Sequence, residues 1–284
     1  MQKNIIALLL VTLLLSCQQS GDAFLDPSAP KGGLFIIGGG ERPDALVMRM
    51  IEEAGVQNEG YVIILPMASE LPDSAIIWSS EQFIAHGVKD VFGFNFQPDA
   101  DIPPQWIDSL RRASLIYMSG GDQNKFMAIV KGNAIEEAIW DAYKSGAIIA
   151  GTSAGAAVMS YKMITGNELR NPDYRSTFRT IEAENMELDF GLGFLETAVI
   201  DQHFIWRSRH NRLFTLIMEY PQFKGIGIDE STAILVRGNQ AEVVGISQVM
   251  VFSNPDNSYR QKNHKLGASN LVVDIYLPGE KFTF

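Results

Sequence analysis

From Leu34 onward, short apolar runs alternate with amphipathic stretches, and this rhythm restricts the chain to βαβ units built around a parallel sheet. Strand candidates are Leu34–Ile37, Tyr61–Leu65, Asp90–Phe94, Leu115–Met118 and Ala147–Ala150. Each is rich in Ile, Val, Leu or aromatic residues with little polar alternation, as strands covered on both faces require. Helices are predicted over Pro43–Ala54, Asp73–His86, Pro104–Ala113, Gln123–Val130 and Ala134–Tyr143. The expected class is therefore α/β, an open, largely parallel, doubly wound sheet with helices on both faces. Beyond it the sequence gives a strand at Thr197–Ile200, a helix at Asn211–Met218 and a β-rich C-terminal part. That part contains Gly225–Ile228, Ala233–Val236, Ala241–Val244 and Val249–Phe252, with a hairpin turn at Gly238-Asn239. The polar stretch Gly166–Met186 has little periodicity and reads as an inserted loop in the position of a lid. No repeat and no second core is apparent, so residues 32–284 are expected to form one domain.

Three glycine-rich turns follow predicted strands: Gly38-Gly39-Gly40, Gly120-Gly121 and Gly151-Thr152-Ser153-Ala154-Gly155. All should lie along the carboxyl edge of the sheet, where open α/β folds place their sites. The first is not a dinucleotide fingerprint, because Pro43 stands where the third glycine of Gly-x-Gly-x-x-Gly belongs, and no nicotinamide cofactor is expected. The third sits between the strand Ala147–Ala150 and a helix expected over Ala154–Met163, the sharp turn on which a nucleophilic hydroxyl is exposed. Backbone N–H groups at that helix start would suit an oxyanion. The alternative for Ser153 is an N-cap on a close-packed helix.

A serine nucleophile needs a base, and the chain has four histidines. His86 and His210 fall on or at predicted helices, and His264 lies in a polar segment. His203 follows the strand Thr197–Ile200 and so belongs to the carboxyl edge with Ser153. A carboxylate should orient the imidazole. Asp229 and Glu230 close the strand Gly225–Ile228, and because neighbouring side chains on a strand point opposite ways, one of the two should face His203. Either choice gives the order Ser, His, acid, unlike the Ser, acid, His order of α/β-hydrolases.

Gly-Gly-Asp-Gln at 120–123, Gly-Thr-Ser-Ala-Gly-Ala at 151–156, Asp-Gln-His-Phe at 201–204 and Gly-Ile-Asp-Glu at 227–230 resemble the cyanophycinase branch of the serine peptidase family that also holds aspartyl dipeptidase. The resemblance runs from about Leu34 to Val244. It implies a fold similar to class I glutamine amidotransferases and a triad of Ser153, His203 and Glu230, with Asp229 a structural neighbour. Oxyanion donors would come from Ala154 and from Gly120 or Gly121. Arg207, Arg209 and Arg212 match the Arg-x-Arg-x-x-Arg pattern of that branch, and Gln123, Asp201 and Gln202 match further substrate-binding positions. Guanidinium groups beside a nucleophile offer bidentate geometry for carboxylates. The implied substrate is cyanophycin, a poly-aspartate backbone carrying arginine on each β-carboxyl, with Asp201 or another acid receiving the substrate guanidinium. The implied product is the β-aspartyl-arginine dipeptide, with no metal or organic cofactor. Competing expectations are hydrolysis of α-linked aspartyl peptides and a surface lipoprotein that binds such a polymer without cleaving it.

Composition bounds the remaining classes. A net charge of -10 with 23 Lys plus Arg argues against a nucleic-acid partner, since phosphate tracking needs a basic face. Lys3, the apolar run Ile5–Leu15 and Leu14-Leu15-Ser16-Cys17 resemble a bacterial lipoprotein signal, with residues 1–16 cleaved and a lipidated Cys17 opening a polar tether over 17–31. An ordinary secretory signal is the alternative. Cys17 is the one cysteine of the chain, which excludes a disulfide framework and a catalytic thiol in the remainder. The expected location is a bacterial membrane, on its periplasmic or cell-surface face, and the sequence is compatible with a homodimer.

Overall fold

The computed structural model describes residues 30–98, 101–173 and 175–284; the expected signal over 1–16 and Cys17 lie outside the described residues. Five parallel strands, β1 (Gly33–Ile37), β2 (Val62–Leu65), β3 (Val91–Gly93), β4 (Leu115–Met118) and β5 (Ile148–Thr152), form the centre of the main sheet. They are joined by α1 (Asp44–Ala54), α2 (Pro72–Ala85), α3 (Pro104–Arg111), α4 (Gln123–Val130) and α5 (Ala134–Ser145). The chain continues through the one-turn α6 (Ala154–Ala157), β6 (Lys162–Glu168), β7 (Met186–Phe190), β8 (Ala198–Gln202), α7 (His210–Glu219) and β9 (Lys224–Ile228). It ends in β10 (Thr232–Arg237), β11 (Gln240–Gly245), β12 (Val249–Ser253), β13 (Arg260–Lys262), β14 (Lys265–Gly267), β15 (Val272–Tyr276) and β16 (Lys281–Thr283). Strands β10, β11 and β16 extend the main sheet antiparallel to β1, giving the order β16-β11-β10-β1-β5-β4-β2-β3.

Alternate residues of each central strand serve opposite faces, as the pleat dictates. Leu34 and Ile36 of β1 join a core with Phe126, Ile135 and Ile139 on the side of α3 to α6, whereas Phe35 and Ile37 pack with Leu46, Val47, Met50 and Ile51 of α1. Helix starts are set locally: Asp122 accepts a hydrogen bond from the Asn124 N–H at 2.8 Å and Asn133 one from Ile135 at 2.9 Å.

The main sheet and the β-rich C-terminal part match the expected α/β class, and part of the latter forms a second sheet. Strands β8 and β9, read from the sequence as Thr197–Ile200 and Gly225–Ile228, run parallel to each other in a four-stranded sheet of order β15-β12-β9-β8. One of its faces contributes Ile200, Ile226, Ile228 and Val249 to the main core. Its other face, with Val199 and Phe252, meets Leu213, Leu216 and Ile217 of α7 in a hydrophobic cluster of its own. A sequence lacking a composition break does not reveal such a satellite core.

Two corrections concern the segment after Ser153. The helix expected over Ala154–Met163 stops at Ala157 because the carbonyls of Val158 and Met159 are taken by Leu192 and Leu195 N–H groups, at 2.6 and 3.1 Å. The polar stretch Gly166–Met186 is not an open loop: its first residues continue β6, which pairs with β7. Between the strands, Asn185 is fully buried and the Phe178 carbonyl accepts from Asn211 on α7.

Candidate active site

Three turns from two sheets meet where their parallel strands end. Ser153 follows β5, His203 follows β8, and Glu230 lies two residues beyond β9. The His203 N–H donates to the Gly38 carbonyl at 2.6 Å and the Ser231 N–H to the Gly39 carbonyl at 2.9 Å, so the turn after β1 fastens the second sheet to the first. Gly39 has φ 107°, and a Cβ there would lie 2.3 Å from the His203 ring. The glycine run thus makes room for the imidazole. A similar demand explains Gly155, where a Cβ would meet the Met118 carbonyl oxygen at 2.3 Å. Close approach of that turn to β4 holds Ser153 at φ 53° and ψ -110°.

The side chains form a continuous relay. Ser153 Oγ lies 2.8 Å from His203 Nε2, and His203 Nδ1 lies 2.6 Å from Glu230 Oε1. Burial pushes the His203 pKa below its ordinary value; the hydrogen bond it donates to Glu230 opposes this, and the cations Arg207 and Arg209 lower it further. Asp229 turns the other way: its Oδ1 accepts the N–H groups of Ile205 and Trp206 at 3.1 and 2.9 Å, and its Oδ2 accepts from Ser247 Oγ at 2.7 Å. It shapes the backbone that carries His203, while Glu230 alone of the pair faces the ring.

Ser153 opens into a cavity of about 530 Å³ whose lining includes Gly121, Gln123, Gln202, Arg207, Arg209 and Arg212. A Cβ at Gly120 would lie 3.3 Å from Ser153 Cβ, which puts this backbone against the nucleophile. No acceptor among the described residues takes the N–H of Gly120, Gly121 or Ala154.

The polar groups of the cavity are more committed to one another than the sequence implies. Asp201, expected as a possible receiver of a substrate guanidinium, has a fully buried side chain bound to Arg212, whose Nε donates to Oδ2 at 2.7 Å and whose Nη2 donates to Oδ1. Arg209 donates to the carbonyl and the side-chain Oε1 of Gln202, and Gln123 Nε2 donates to the Ile164 and Thr165 carbonyls at 2.9 and 2.6 Å. Arg207 makes no ion pair with a carboxylate among the described residues. The cavity is also lined by Glu70, Asn124, Thr165 and Asn167, not singled out from the sequence, and by Asp122, which the Gly-Gly-Asp-Gln motif contains but to which no role was given. Asp122 was within reach, since it follows the Gly120-Gly121 turn at a strand end; Thr165 and Asn167 arrive on a hairpin that polar composition concealed. Among the described residues no cluster of His, Cys, Asp or Glu is arranged to hold a metal.

A serine in a strained strand-to-helix turn, backed by histidine and then a carboxylate on an α/β sheet, is the arrangement of a serine hydrolase. The chain belongs to Peptidase family S51, whose model matches residues 34–244. It is similar to proteins named cyanophycinase: 29% identical to one from Nostoc sp. over 90% of this chain and 87% of that protein, and 30% identical to one from Synechococcus elongatus over 89% and 79%. Among solved structures, a peptidase from an acI-B1 Actinobacterium shares the fold with a TM-score of 0.66, at 23% identity over 90% of this chain and 98% of that one.

Proposed function

We propose that this peptidase is an exopeptidase of the cyanophycinase kind, releasing β-aspartyl-arginine from cyanophycin through an acyl-enzyme on Ser153. The observation that carries the reading is the Ser153–His203–Glu230 relay opening into a cavity with an arginine wall. His203 Nε2 takes the Ser153 proton as Oγ attacks a backbone carbonyl of the polymer, while Glu230 accepts from Nδ1 and stabilises the imidazolium. The free N–H groups of Ala154 and of Gly120 or Gly121 hold the resulting oxyanion. Collapse breaks the C–N bond, His203 returns the proton to the leaving amine, and water then attacks the ester by the same route. Arg207 is the guanidinium with capacity left for a substrate carboxylate, while Arg212 is committed to Asp201 and Arg209 to Gln202.

The test is incubation of the protein and of Ser153→Ala with cyanophycin, with α-linked aspartyl dipeptides and with casein. Release of β-aspartyl-arginine by the parent and none by the variant is expected. Turnover of the α-linked dipeptides alone would replace this reading with an aspartyl dipeptidase activity, and binding of the polymer without release would make the protein a receptor.

The leader supports export and attachment to a bacterial membrane through diacylglycerol on Cys17. Incorporation of labelled palmitate, lost in Cys17→Ser, tests it.

A further inference from the structure

A substrate with an arginine side chain needs an acid at the cavity, and Asp201 is fully buried and already bound to Arg212. Two other carboxylates line the cavity that Ser153 shares with Arg207: Asp122 and Glu70. Asp122 has one oxygen committed to the Asn124 N–H at the start of α4. Glu70 has no hydrogen-bond or ion-pair partner among the described residues. It is nevertheless carried on a fixed backbone. The Ser69 N–H donates to the Pro66 carbonyl at 2.8 Å and the Leu71 N–H to Ser69 Oγ at 3.1 Å. On the flanking residues, the Asp122 N–H donates to the Ala68 carbonyl and Lys125 Nζ to the Ser69 carbonyl, each at 2.8 Å. Lys125 thus ties the loop down without a hydrogen bond to the Glu70 carboxylate. The loop after β2 is thereby fastened to the Gly120–Asp122 turn that flanks Ser153.

We propose that Glu70 is the specificity-determining acid of the site, accepting the guanidinium of an arginine side chain borne by the substrate. The inference rests on the exopeptidase reading above. The cavity would then recognise two opposite charges on one ligand: Arg207 takes a carboxylate and Glu70 takes a guanidinium. Its volume of about 530 Å³ suits a dipeptide-sized unit. A carboxylate that meets a guanidinium gains two parallel hydrogen bonds, which a neutral ureido group does not reproduce with the same charge assistance.

The test uses two synthetic polymers with the same poly-aspartate backbone, one carrying arginine on each β-carboxyl and the other citrulline, its neutral isostere. For Glu70→Gln, kcat/KM on the arginine polymer should fall roughly tenfold or more beyond any fall on the citrulline polymer, the range of a lost charge-assisted hydrogen bond. Glu70→Asp, which keeps the charge, should restore part of the preference. Equal losses on both polymers, or a preference for arginine that survives in Glu70→Gln, overturns the assignment while leaving the exopeptidase reading intact. A parent enzyme that cleaves neither polymer overturns both.

Discussion

Ser153 holds a positive-φ backbone conformation that costs a non-glycine residue about 1–3 kcal/mol, two residues before Gly155 packs closely on β4. The strain aims Oγ at His203. Glu230→Gln leaves a hydrogen-bonding amide in place of the carboxylate and should lower kcat by roughly a thousandfold or more while the fold persists, measured by single-turnover release and circular dichroism. The imidazole must be neutral to act as base, so activity falls as pH drops through its pKa. Because burial and two cations hold that pKa down, the acid limb of kcat/KM should have its midpoint below about pH 6.5, the ordinary histidine value. Arg207→Gln removes one of those cations and should move the midpoint upward, read from the full pH profile rather than from rate at one pH. The places of Ser153 and His203 were legible because each follows a strand end, a position that sequence periodicity fixes well, whereas periodicity left Asp229 and Glu230 open and the resemblance alone pointed to Glu230. The partner of Asp201 was not, because the distance between a β8 carboxylate and an α7 guanidinium is set by how a helix packs, which no spacing along the chain records.

At the scale of elements, the Asp201–Arg212 pair joins α7 to the second sheet at the edge of the cavity. Asp201 also lies 3.6 Å from Arg209 Nη1, so Arg212→Met removes the closer of two guanidinium partners of a buried carboxylate and should cost about 3 kcal/mol or less in urea denaturation. Combining it with Asp201→Leu also removes the carboxylate beside buried Arg209, so it should recover only part of that loss. The central βα units were read from the sequence to within a residue or two because each strand is a bounded apolar run and each helix has its own start signal. Where pairing is nonlocal, local pattern misled. Lys162–Glu168 joins β7 across an eighteen-residue separation of Glu168 and Met186, and Leu192 and Leu195 end α6 by capturing its next carbonyls. A polar, aperiodic segment and an extended apolar helix were the simplest expectations for those residues, and tertiary hydrogen bonds displaced both.

Across the whole molecule, β1 separates two functions. Its amino end is reached directly from the N-terminal segment, where the Gly32 N–H is tied to the Tyr143 carbonyl at 3.0 Å. Its carboxyl end carries the Gly38–Gly40 turn that holds His203. With Cys17 lipidated as proposed, Cys17→Ser should move the enzyme from the membrane to the soluble fraction with kcat/KM on cyanophycin retained, checked by fractionation and assay of both pools. The five residues of β1 span roughly 17 Å, so the chain enters the body on one side of the sheet and reacts on the other. A leash attached at the back of a tool leaves its mouth pointing outward. With the proposed lipid in place, the attachment and the Ser153 turn would sit at opposite ends of β1, which leaves the cavity mouth free for substrates as bulky as a polymer.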